Sequence, residues 1–68
     1  MEFEIDDVVM LAYTEGLFIV SGVIHDDKKV FVQDPAGRYY GGKEFWVPFK
    51  DVIDHWRKLV RSGAEEDQ

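Results

Sequence analysis

The spacing of apolar residues changes within FWVPFKDVIDHWRKLVR, residues 45–61. Before Pro48 the chain consists of short apolar runs between polar turns, which is typical of β-strands. After Pro48, six apolar side chains recur at helical spacing and share one stripe: Phe49, Val52, Ile53, Trp56, Leu59 and Val60. Gly63 follows the last of them, where helices commonly stop. This stretch therefore predicts an amphipathic C-terminal helix over residues 49–61.

Four apolar runs upstream predict strands. Three of them span residues 8–13, 17–25 and 30–33, and a fourth lies within residues 43–47. Gly22 interrupts the second run, which predicts a bulge or a sharp bend. Asp34-Pro35-Ala36-Gly37 has the residues of a type I turn in their usual positions. For Gly41-Gly42 two interpretations remain, a two-residue hairpin turn, which we favour, or a bulge in a long bent strand.

Length and composition are those of one small folded domain. The chain has 68 residues, 46% of them hydrophobic, and no cysteine. We expect a single domain over residues 1–61 and an acidic, disordered tail over residues 62–68. No apolar run reaches the ~18 residues of a membrane span, and the opening Met1-Glu2-Phe3-Glu4 is acidic, unlike a signal peptide. A cytoplasmic location without membrane contact is therefore expected.

The first two predicted strands are apolar on both sides, so each side needs cover. One side would line an interior, and the other would lie under the helix or a partner. The predicted fold is mainly β (α+β): a strongly bent antiparallel sheet of four to five strands, closed at one end by the helix.

Two segments resemble the SH3-like small barrels, a group that includes chromo, Tudor and KOW modules. FEIDDVVML, residues 3–11, is similar to the opening of many such barrels, and FWVPFKDVI, residues 45–53, to their closing strand and short turn. Asp6 stands where the group usually has glycine. The resemblance implies an SH3-like barrel and a habit of binding peptides or nucleic acid, and it implies no particular ligand.

The sequence contains two partial matches to catalytic or metal-binding motifs, and neither is complete. Residues 37–43, GRYYGGK, match the glycine and lysine spacing of a phosphate-binding loop, but Glu44 replaces the required Ser or Thr and a strand follows. His25 and His55 are far apart and have no thiol to join them at a zinc site. We expect His55 to contact Asp51 one helical turn earlier. The sequence predicts a non-enzymatic protein without metal or cofactor.

The strongest candidates for recognition are aromatic and basic residues near the middle of the chain. Such residues supply much of the contact energy at interfaces, and they also stack on single-stranded nucleic acid. The predicted binding residues are Phe31, Arg38, Tyr39, Tyr40, Lys43 and Trp46. The alternative is that Phe45 and Val47 line the barrel and that the two tyrosines only fill a strand face.

The charge distribution bears on whether the partner is a protein or a nucleic acid. Residues 1–27 contain seven acids and no Lys or Arg, and the net charge of the chain is −6. Because nucleic-acid binding needs a basic face, we favour a protein-binding, adaptor or regulatory module with a protein partner, and a homo-oligomer remains open. The alternatives are a nucleic-acid-binding barrel using residues 38–46, or an acidic inhibitor that mimics nucleic acid.

Overall fold

Five antiparallel strands form one sheet in the computed structural model, which describes residues 2–57. The strands are β1 (Val8–Leu11), β2 (Phe18–Ile24), β3 (Lys29–Gln33), β4 (Phe45–Pro48) and β5 (Val52–Trp56). Their order in the sheet is β4-β3-β2-β1-β5, so the last strand returns to pair with the first. The predicted mainly β class, with an antiparallel sheet, is confirmed.

Two local predictions in the first half of the chain are confirmed. The pairing of β2 with β3 shifts register between Val20 and Gly22, which is the irregularity that the glycine predicted. Gly37 N–H donates to the Asp34 carbonyl at 2.9 Å and closes the predicted turn over residues 34–37.

The predicted helix over residues 49–61 is wrong for the residues described. A single 3₁₀ turn, Phe49–Asp51, leads directly into β5. Ala12 N–H donates to the Asp51 carbonyl at 2.8 Å, and β5 then pairs along β1. Without β5, the second edge of β1 would keep unpaired backbone groups beside a buried core, and this tertiary requirement outweighs the helical spacing of the apolar residues.

The predicted closed barrel is also wrong. Strands β4 and β5 lie at opposite ends of the sheet and do not pair with each other, so the sheet is open. The turn Phe49–Asp51 carries the chain from one edge strand to the other. Residues 58–61 of the predicted helix and the predicted tail, residues 62–68, lie outside the described residues.

Neither interpretation of Gly41-Gly42 is correct. Residues Tyr40–Gly42 form a 3₁₀ turn, and no strand precedes them after β3 in the described chain. Positive φ angles run through all three residues, at 54° for Tyr40, 62° for Gly41 and 84° for Gly42. A two-residue hairpin cannot form because this loop, held by Asp34, separates β3 from β4.

The core lies on one face of the sheet, called here the inner face. Its buried members are Phe3, Val9, Leu11, Phe18, Val20, Val30, Val32 and Val52. Phe3, from the segment before β1, covers this face by packing on Phe49 and His55, with ring centroids 4.9 Å and 4.6 Å apart. Tyr39 packs on Phe18 from the loop after β3, with centroids 5.4 Å apart. Loop aromatics therefore cover the core where a helix was expected.

Candidate binding surface

The face of the sheet opposite the core, called here the outer face, also carries apolar side chains. In β3, Val30 and Val32 are buried in the core while Phe31 between them is only half-buried. Because side chains alternate along a strand, Phe31 points to the outer face. Trp46 of β4 lies directly opposite Phe31 and is 55% exposed. Two large aromatic side chains are thus neighbours on a face that the described residues leave partly open.

A lysine completes this patch. The Lys29 ammonium lies 4.6 Å from the centre of the Trp46 ring, within the range of a cation–π contact. It also lies 3.7 Å from an Asp27 carboxylate oxygen. We call Lys29, Phe31 and Trp46 the Phe31–Trp46 surface. It offers a partner an exposed indole, a neighbouring phenyl ring and a positive charge.

Gly22 of β2 lies on the other side of Phe31 in the sheet. A Cβ atom built on Gly22 would lie 3.5 Å from the Phe31 ring, which is ordinary contact. The ring therefore borders the glycine backbone at the bulge of β2. Because Gly22 has no side chain, nothing at position 22 rises above the sheet beside the aromatic pair.

The loop after β3 is organised by one buried carboxylate. Asp34 accepts hydrogen bonds from the N–H groups of Ala36 at 2.9 Å, Arg38 at 2.7 Å and Tyr39 at 3.1 Å. Burial by itself raises the pKa of Asp34, but these N–H donors and the nearby Arg38 guanidinium together hold that pKa below its ordinary value. Asp34 therefore fixes the loop as an anion.

Four of the predicted binding residues belong to this loop, and the structure separates them from Phe31 and Trp46. The Arg38 guanidinium donates to the Glu15 carbonyl at 3.2 Å. The Tyr39 hydroxyl accepts from Glu15 N–H at 3.1 Å, so both side chains tie the loop to the β1–β2 connection. Tyr40 is exposed but stacks on Phe45, with centroids 4.7 Å apart, and Lys43 is exposed.

Sequence reasoning missed Lys29, although a signal was present. Lys29 precedes Phe31 by two residues, and residues two apart in a strand share a face. It also missed the opposite end of the outer face, where Trp56 of β5 is 44% exposed and lies opposite the half-buried Val8 of β1.

A second buried carboxylate, near the N-terminus, is also the centre of a polar group. Asp7 is fully buried, and one of its oxygens, Oδ2, receives His55 Nε2 at 2.6 Å, Arg57 Nη1 at 3.0 Å and Glu4 N–H at 2.9 Å. The predicted helical contact between His55 and Asp51 is therefore replaced by a bond to a residue 48 positions away. These bonds join the segment before β1 to β5.

Two further observations concern the part of the chain the structure describes. No group of three or more metal-binding side chains is found there in a suitable arrangement. Between residues 2 and 57 there is also no helix of the length and apolar character needed to cross a membrane.

Comparison with known proteins identifies no relatives. No protein-family model, no curated protein and no solved structure matches this chain.

Proposed function

We propose that this chain is a small, non-enzymatic protein-binding module of adaptor or regulatory type, which acts through the Phe31–Trp46 surface. The observation that carries the proposal is the 55% exposure of Trp46 beside a half-buried Phe31, on the face opposite the core. Tryptophan is among the residues that contribute most to binding energy at protein interfaces, particularly beside other large apolar groups.

The backbone arrangement supports the resemblance to the SH3-like group as part of this proposal. Strands β1 to β4 follow one another as a meander, β5 pairs with β1, and a short turn separates β4 from β5. This resemblance favours a binding module over an enzyme, because the group recognises peptides and nucleic acids.

Charge favours a protein over nucleic acid as the partner. Arg38 is held by Asp34 and Glu15, with its Nε 3.8 Å from an Asp34 oxygen, and Tyr39 packs on the core. Arg38 and Tyr39 were both expected to contact nucleic acid, and their side chains are thus occupied by contacts within the protein. The chain as a whole has a net charge of −6, which repels phosphates.

Photo-crosslinking tests the proposal. Benzoylphenylalanine replaces Trp46 in one variant and Tyr13 in a control variant, because Tyr13 is an aromatic residue 99% exposed in the β1–β2 connection. Irradiation in the native cells should give protein adducts from position 46 and few from position 13. Equal protein adducts from both positions, or none from position 46, would refute the proposal. Adducts removed by nuclease would instead identify nucleic acid as the ligand.

A further inference from the structure

The outer edge of β4 offers backbone groups that no strand in residues 2–57 occupies. Phe49 N–H donates to the Lys28 carbonyl at 2.8 Å, and hydrogen-bonded positions alternate along an antiparallel pair. Val47 and Phe45 are therefore bonded to β3, while the N–H and C=O of Trp46 point away from it. Trp46 thus presents a donor and an acceptor on the same free edge as its exposed indole.

The two edges of the sheet differ in how they are protected. On β5, the His55 N–H is taken by the carboxylate of its neighbour Asp54 at 3.0 Å. This is a side-chain cap on an edge donor, which natural sheets use against unwanted pairing. No hydrogen bond from the described residues reaches Trp46 N–H in this way. In residues 2–57 the edge donor His55 N–H of β5 is therefore capped and the edge donor Trp46 N–H of β4 is not, so we call these the capped edge and the open edge.

We infer that a second copy of this chain pairs with the open edge, with the two β4 strands antiparallel about a twofold axis at Trp46. This inference rests on the proposed function and names the partner of that surface. In this register each Trp46 N–H donates to the Trp46 carbonyl of the other copy. The edge is self-complementary, as a twofold interface requires.

Side-chain charges match in the same register. Glu44 of one copy lies opposite Pro48 of the other, and Pro48 has Lys29 beside it in β3. Glu44 immediately precedes β4, and continuing the alternation of the strand by one residue puts it on the outer face with Trp46, where its carboxylate would face the Lys29 ammonium of the second copy. Their Cα atoms are about two strand spacings, ~10 Å, apart, which the two side chains can span. Two such pairs flank the central Trp46 residues.

The twofold pairing occupies the edge of β4 in both copies, which confines the association to a pair of chains. Pro48 has no N–H to donate to the second copy, so the ladder is short at both ends. The capped edge of β5 discourages addition at the other end of the sheet. The contact is short, and interfaces below about 1,200 Å² are weak and transient, so the dimer should dissociate on dilution.

Sedimentation equilibrium of the full chain from about 5 µM to 1 mM tests the inference. The mass should rise from 7.9 kDa toward twice that value as concentration increases. Trp46→Lys places two like charges opposite each other at the axis and should raise the dissociation constant at least about tenfold. Trp56→Lys is the matched control, because it makes the same change on the outer face of the capped edge strand. Thermal melting verifies that both variants fold.

Amide exchange gives an independent readout. Exchange at Trp46 N–H should slow as protein concentration rises, and in Trp46→Lys the amide at position 46 should exchange fast throughout. A chain that stays monomeric at 1 mM overturns the inference, as does a dimer lost in Trp56→Lys but kept in Trp46→Lys. Slow exchange at Trp46 that does not depend on concentration also overturns it, since another part of the same chain would then cover the edge. A monomer that still yields crosslinks to a different protein from position 46 removes this inference and leaves the proposed function standing.

Discussion

Replacing Asp7 with alanine should destabilise the protein severely, because one carboxylate joins the segment before β1 to the end of β5. Its Oδ2 atom accepts from Glu4 N–H, from His55 and from Arg57. Hydrogen bonds to charged groups contribute about 1.5–3 kcal/mol each. The Arg57 side chain is 51% exposed and can bond to water instead, whereas the His55 side chain is only 14% exposed. We therefore expect Asp7→Ala to cost about 2–4 kcal/mol in the free energy of unfolding.

A loss of this size is comparable with the total stability of so small a domain, about 3–5 kcal/mol, so Asp7→Ala need not remain folded. Asp7→Asn keeps the shape and one acceptor oxygen, and should cost less. Combined with His55→Ala in a double-mutant cycle, it measures the part of the interaction between residues 7 and 55 that depends on the charge of the Asp7 carboxylate. We expect a coupling energy of about 0.5–2 kcal/mol.

Urea unfolding followed by tryptophan fluorescence measures all four members of the cycle. The reasoning is refuted if Asp7→Ala changes stability by less than about 0.5 kcal/mol, or if the effects of Asp7→Asn and His55→Ala simply add. Additive effects would mean that the charge of Asp7 does not strengthen a bond to His55 in solution. A helix over residues 49–61 would give that result, since it places His55 beside Asp51.

Three further substitutions test the packing and the charges. Trp56→Ala should change stability by no more than about 1 kcal/mol in thermal melts, because its side chain is 44% exposed on the outer face; a loss of several kcal/mol would show that Trp56 anchors the core. Phe18→Ala, which empties a fully buried position, should cost about 3–5 kcal/mol, and a mild effect would place Phe18 outside the core. The lowered pKa of Asp34 means that its anion favours the folded state above about pH 4 and that this contribution disappears as the pH falls through the folded-state pKa. The stability difference between the wild type and Asp34→Asn should therefore shrink from pH 6 to pH 2.5 in melting experiments, and a constant difference would contradict this role.

The sequence predicted the strands well where local chemistry decides them. Apolar runs between turn residues marked β2 and β3 to within one residue at each end, and the glycine within β2 marked its bulge. The turn after β3 was predictable because Asp34, Pro35 and Gly37 each favour their own position in it. In the candidate surface, Phe31 and Trp46 could be named from residue type, but nothing local showed that they are opposite each other. Arg38 and Tyr39 were equally good candidates by residue type, but in the structure their side chains tie the loop after β3 to the β1–β2 connection.

The segment after Pro48 shows where local information ends. Its apolar spacing suits a helix, yet Val52 and Ile53 are β-branched residues that also suit a strand. Only the unpaired edge of β1 decides between the two, and that edge exists only once the sheet has formed. The bond from His55 to Asp7 depends in turn on β5 lying there.

By itself, the order of residues determined a small, cysteine-free, mainly β chain with turns at defined positions, because these depend on side-chain type and on contacts between near neighbours. The tertiary structure decided the state of residues 49–56, the open sheet, and which aromatic residues share the outer face. Those features depend on backbone hydrogen bonds between segments far apart in the chain, and each such bond satisfies groups that would otherwise be buried without a partner.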